Sequence, residues 1–262
     1  MEVHHHGYVH HKSKWKEYLF QFLMLFMAVF LGFLAEYRLE HFIEHKRTAQ
    51  LAKNLYQEMK SDSANVQRIL KGRLFKEECL KYTIGYFKDS SLTSLSKEFY
   101  PRLGIAFILT QYYSFEPKDG VLNQLINSGA LRYFRNVQLQ KYLGEIAVAI
   151  NNIKSRNEQE YIFVSQNIRP FMFNHYDYEW NNILTRDGTI PIADALQNYL
   201  AGDKKMKVEL KNLKKLDRQF MYNISSHYLL ILRGTRQLQI DSYIKINKNL
   251  LQALRENYNV EN

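Results

Sequence analysis

From Tyr18 to Ala35 the chain reads YLFQFLMLFMAVFLGFLA, an apolar run of eighteen residues without a charge, interrupted only by Gln21 and Gly32. As an α-helix this run is about 27 Å long at about 1.5 Å per residue, close to the hydrocarbon thickness of a bilayer. Lys12, Lys14 and Lys16 with Trp15 and Tyr18 stand at its start, and Glu36, Tyr37 and Arg38 follow it, a charged and aromatic edge at each end. A soluble core helix of this length would carry a polar face, which this one lacks. A cleaved signal peptide would end in small residues, whereas Gly32-Phe33-Leu34-Ala35 is bulky at its centre. The segment reads as an uncleaved signal anchor crossing the bilayer once.

Orientation rests on the flanking cations. Three lysines precede the run, and Arg38, Lys46, Arg47 and Lys53 follow less closely. The nearest lysines lie on the N-terminal side, which places the N-terminus in the cytoplasm and the remaining chain outside it. In a double-membraned bacterium that means the inner membrane, with the main domain in the periplasm.

Behind the anchor no helix breaker appears until Gly72. Apolar residues recur at Leu39, Phe42, Ile43, Ala49, Ala52, Leu55, Tyr56, Met59, Val66, Ile69 and Leu70, the spacing of one helical face. The anchor is therefore expected to continue as a helical stalk. The expected organisation is a His- and Lys-rich tail over 1–17, a transmembrane helix over 18–35, the stalk over 36–72, and an α-helical bundle over 73–262. Within the bundle, helices are expected around Leu74 to Phe87 and from Pro101 to Gln111. Gly129 stands at a C-cap position between a short helix and a long one, while Pro170 with FMFNHYDYEW and then DGTIP mark loops. Leu213, Leu216, Phe220, Ile224, Ile231 and Leu238 predict a long closing helix. Only four Pro and eleven Gly punctuate the chain, which excludes a turn-rich β fold and makes the class mainly α.

A single cysteine, Cys79, excludes any intramolecular disulfide framework. The net charge of +10 is uneven, because residues 203–262 alone carry six more Lys and Arg than Asp and Glu. A diffuse nucleic-acid surface is weighed against accordingly, since it would need a cytoplasmic domain and stacking aromatics near the lysines.

Three features carry candidate chemistry. His4, His5, His6, His10 and His11 supply imidazoles, but a tail imposes little coordination geometry. His41-Phe42-Ile43-Glu44-His45 spells HxxEH, which on a helix sets two imidazoles on one face with a carboxylate between them, the arrangement of a zinc hydrolase. His41, Glu44 and His45 are thus metal candidates, with Glu116 a guess at a third ligand; the charged collar of a helix leaving the bilayer explains the same string. The basic run Lys204, Lys205, Lys207, Lys211, Lys214, Lys215 and Arg218 is expected on one helix face, solvated or against anionic lipid. There is no Gly-rich phosphate loop, no GxSxG elbow and no CxxC, so no catalytic residue and no cofactor are assigned.

The His-rich start, the block KWKEYLFQFLMLFMAVFLGFLAEYRLEHFIEHKR and the later LNQLINSGALRYFRN resemble a family of uncharacterised single-pass membrane proteins of Bacteroidota. That resemblance implies a membrane-anchored helical protein and supplies no activity or catalytic residue. The expected function is a non-enzymatic interaction, scaffold or sensory protein. Its partners would be the bilayer, an unidentified protein, and a second copy pairing through Leu39, Phe42, Ile43 and Leu55. A membrane-tethered zinc hydrolase and a basic membrane-surface binder are the alternatives.

Overall fold

A computed structural model describes residues 14–260, and among them every regular element is helical. The chain forms two compact units, residues 1–50 and 51–262. One helix, α1 (Trp15–Asp89), enters both.

The first unit holds the start of α1. It holds a window long and apolar enough to cross a membrane, none of it buried. Phe22, Phe26 and Phe30 stack along one side at centroid spacings of 6.3 and 6.1 Å, the i, i+4 contacts of a helix surface. Leu39, Phe42 and Ile43 beyond the window are also exposed.

The second unit begins with the rest of α1, which does not break at Gly72. The boundary expected there is absent, and the separate helix expected from Leu74 is the continuation of α1. Gly72 has a packing reason instead: a Cβ at this position would collide with the ring of Tyr113, so glycine admits that ring against the helix. Leu55, Met59, Asp62, Val66, Ile69, Arg73, Lys76, Leu80, Thr83 and Phe87 follow alternating steps of four and three, and all are buried. Leu55, expected to pair with a second copy, is thus consumed by this unit's own core.

Two hydrophobic cores lie along that stripe. One joins Leu51–Ile69 of α1 to α3 (Gly120–Asn127), α4 (Val137–Phe163) and α9 (Asp241–Asn257), and is mainly aliphatic. The other joins Cys79–Phe87 to α2 (Phe99–Phe107), α5 (Arg169–His175), α6 (Tyr178–Thr185), α7 (Ile192–Ala201) and α8 (Arg218–Gly234). This second core is rich in rings, among them Tyr100 stacked on Tyr176 at 4.4 Å and set edge to face with Trp180 at 5.2 Å.

Local signals account for several ends. Gly129 adopts φ 68°, the left-handed turn expected after α3. Asn136 and Asp217 cap α4 and α8, accepting from the amides of Leu139 and Phe220. Arg186 and, in the DGTIP turn that follows it, Asp187 and Gly188 take positive φ.

Other expectations are corrected. FMFNHYDYEW is not a loop, because α5 and α6 absorb most of it, with Pro170 in the first turn of α5, where its missing N–H costs nothing. The basic run is not one helix face. Residues 203–210 form no helix, and Leu213–Lys215 is a single 3₁₀ turn. The long closing helix begins only at Arg218, and its buried positions are Met221, Ser225, Tyr228, Leu229 and Leu232, while Phe220 and, beyond the helix, Leu238 are exposed. A π-helical stretch, Thr235–Ile240, inserts between α8 and α9 and shifts the face presented to the core, which a 3.6-residue period does not foresee.

Candidate functional site

A layer of buried charge separates the two cores. Arg73, Lys76 and Glu77 occupy i, i+3 and i+4 on α1, between Ile69 and Cys79, and none is more than 3% exposed. Glu160 meets them from α4, and Arg236 from the π-helical stretch after α8. A second π-helical stretch, Val164–Ile168, follows α4 a few residues beyond Glu160. Departures of this kind from α geometry recur at functional positions.

Each charge but one has an opposite partner. Arg73 Nη2 donates to Glu160 Oε1 at 2.7 Å, and Nη1 reaches Oε2 at 3.4 Å. The same guanidinium donates to the carbonyls of Leu232 at 3.3 Å and Tyr113 at 3.4 Å, while its Nε has no acceptor among the described residues. Glu77 accepts from Arg236 Nε at 2.8 Å and Nη2 at 3.2 Å, with Arg233 Nε at 3.8 Å. Such geometry is what a desolvated ion pair needs if attraction is to offset the loss of water.

Lys76 is the exception. Its Nζ donates to Tyr228 Oη at 2.7 Å and lies 5.0 Å from that ring's centroid, with no carboxylate in contact among the described residues. Burial drives its ammonium down from the ordinary 10.5 to about 7, Glu160 partly opposing the shift and Arg73 adding to it. The amine is thus poised to gain or lose a proton near neutrality. Tyr228 is itself pushed well above the usual tyrosine range by burial, so its phenol stays protonated.

A cavity of about 260 Å³ reaches this layer. Glu160 and Tyr228 contribute to its wall with Thr110, Ser114, Asn157 and Glu158. Asn157 is held by the carbonyl of Phe115 and by Glu116, each at 2.8 Å. The arrangement suits a small polar guest whose contacts bear on Glu160 and Tyr228, and through them on Arg73 and Lys76.

A third buried carboxylate sits within the aliphatic core. Asp62 Oδ2 accepts from the amide of Lys118 at 2.8 Å and from Tyr243 Oη at 2.9 Å, while Oδ1 has no partner among the described residues. Desolvation raises its pKa against the lowering effect of those two bonds.

The sequence-derived candidates lie elsewhere. His4, His5, His6, His10 and His11 fall outside the described residues. His41, Glu44 and His45 are on the first unit's part of α1, where the His41 ring packs edge-on against Tyr37 at 4.5 Å. Among the described residues no three His, Cys, Asp or Glu side chains group as a metal site. The basic run is dispersed: Lys211 pairs with Asp177 at 3.1 Å, and Arg218 donates to the carbonyls of Tyr86, Phe87 and Ser90, capping the end of α1. Burial pushes the Cys79 thiol up to about 11, the state of an inert core cysteine.

Arg73, Lys76 and Glu160 escaped the sequence reading, though one signal pointed to the first two. The 4-3 stripe through Ile69 resumes at Leu80 and Phe87, and only inward-facing Arg73 and Lys76 keep its step. Glu160 carried no comparable signal, since its partner is 87 positions away.

No family model matches the chain, and neither a curated protein nor a solved structure matches it.

Proposed function

We propose that this chain is a single-pass, membrane-anchored helical protein whose work is interaction rather than catalysis, with a sensory or scaffolding role. The observation that carries this reading is the complete exposure of the apolar window in α1 while the apolar residues of the second unit fill two cores. So large an uncovered apolar surface is stable only in an apolar medium. The N-terminus would lie in the cytoplasm and the helical unit outside it, on the near-side lysines, in keeping with the resemblance to single-pass proteins of Bacteroidota. The buried charge layer and its cavity give such a unit somewhere to register a ligand.

Fractionation tests the anchor: the full chain should stay with membranes through alkaline carbonate, and release into the soluble fraction would overturn the reading. A C-terminal reporter active only outside the cytoplasm tests orientation, and activity confined to the cytoplasm would reverse it. The zinc hydrolase alternative predicts stoichiometric metal lost in a His41→Ala, His45→Ala double variant; metal absent from the parent, or kept by the variant, removes it. The basic-surface alternative lost the single helix face on which it rested.

A further inference from the structure

Residues 59–63 of α1 meet residues 243–247 of α9 inside the aliphatic core, and both helices bring polar side chains to the contact. Tyr243 Oη donates to Asp62 Oδ2 at 2.9 Å. One turn on, Asn247 Nδ2 donates to the Met59 carbonyl at 3.0 Å and to Ser63 Oγ at 3.1 Å. These bonds leave two acceptors over: Asp62 Oδ1 and Asn247 Oδ1 are both enclosed, and neither has a donor among the described residues. An enclosed acceptor without a donor is destabilising, so the contact is short of a hydrogen.

The charged neighbours do not supply it. The Lys118 amide donates to Asp62 Oδ2 at 2.8 Å, but its Nζ is taken up by Ser61 Oγ at 2.9 Å. Lys154, on α4, is paired with Asp119 at 2.5 Å. Glu58, one turn before Asp62, is a second acid and accepts from the Val121 amide at 3.2 Å. Burial pushes the Tyr243 phenol far above the usual tyrosine range, so it stays a donor to Oδ2. Desolvation favours the neutral form of Asp62, and Lys118 with the two bonds to Oδ2 only partly opposes it. An ionised Asp62 adds an acceptor where acceptors are already in surplus, whereas the protonated acid adds a donor.

We propose that Asp62 and Asn247 form an acid-tightened clasp between α1 and α9, in which a proton taken up on Asp62 Oδ1 supplies the donor this contact lacks. Oδ2 meanwhile keeps the Lys118 amide, so the same carboxyl also steadies the turn that leads into α3. The folded chain holds this proton more tightly than the unfolded one. The clasp is therefore closed in acid and opens as pH rises through the folded pKa. The inference goes beyond the interaction reading and does not depend on the anchor, because every residue in it belongs to the second unit.

Asp62→Asn carries the missing donor permanently on a side chain of the same shape, and keeps one oxygen for Lys118 and Tyr243. In the detergent-solubilised full chain its Tm at pH 7 should exceed the parent's by about 2–4 °C. That lead should fall by half or more at pH 4.5, where the parent gains its own proton. A carboxylate that merely accepts two hydrogen bonds would lose stability on this substitution, so the sign decides. A variant less stable than the parent at pH 7, or a lead that does not narrow in acid, would overturn the clasp. A second reading needs no Asp62 variant. Infrared difference spectra of the parent between pH 7 and 4.5 should show the C=O band of a protonated, desolvated carboxylic acid. In Tyr243→Phe, which strips a donor from Oδ2, that band should appear about half a pH unit or more higher. A band missing from the parent, or unmoved in Tyr243→Phe, would equally remove the proposal.

Discussion

Helix α1 reverses the usual order of a protein twice, in opposite senses. Over residues 18–35 it bares an uncharged apolar surface, and over 73–77 it buries two cations and a carboxylate. The difference lies in the neighbours. Residues 18–35 carry apolar side chains on nearly every side and none of that window is buried, whereas Arg73 and Glu77 each meet an opposite charge on another element. Hydropathy describes the first stretch fully and misplaces the second, because a buried charge is stable only through partners that hydropathy cannot see.

The largest effect is expected from breaking the first half of this comparison. Replacing both Leu25 and Phe26 by lysine costs about 2.5–3.5 kcal/mol at each central position of a span, enough to shift the chain from the carbonate-resistant to the soluble fraction. Next, Glu160→Ala leaves Arg73 buried without its carboxylate and should destabilise the second unit by about 3–5 kcal/mol in urea unfolding. Arg73→Met combined with Glu160→Leu should recover most of that loss; failure to recover would mean that Arg73 serves chiefly through the carbonyls of Leu232 and Tyr113.

Lys76 sharpens the comparison through pH. Its folded pKa of about 7 lies below the ordinary 10.5, so between these values the unfolded chain binds more protons than the native one. Stability should therefore rise with pH across that window, by up to about 1.4 kcal/mol per unit, and the penalty should be fully present below about 7. Lys76→Met should remove this slope, which paired denaturation curves at pH 6, 8 and 10 would measure. The smallest effect separates two glycines of the same helix. Gly72→Ala must displace the Tyr113 ring and should cost about 1–3 kcal/mol, while Gly32→Ala, with no atom within 4 Å, should leave Tm nearly unchanged.

Features that depend on neighbours in the chain were legible from the sequence. The apolar run, the helical class, the αL turn at Gly129 and the DGTIP turn each follow from a few adjacent residues and one backbone preference. Gly72 misled because a glycine that ends a helix and a glycine that admits a ring are the same letter. The closing helix misled because it begins only at Arg218, leaving Leu213 and Leu216 outside it, and because the π-helical stretch after Gly234 changes the register beyond it.

The amino-acid sequence by itself therefore determined that a bilayer-length apolar helix leads into a mainly α chain, since local propensity and contiguous hydropathy suffice for both. Only the tertiary structure decided that this helix runs on into a core split by charge, and that Arg73 finds Glu160 across 87 positions. Ion pairing, desolvation and the shape of a cavity are set by groups far apart in the chain, and no local pattern encodes which of them will meet.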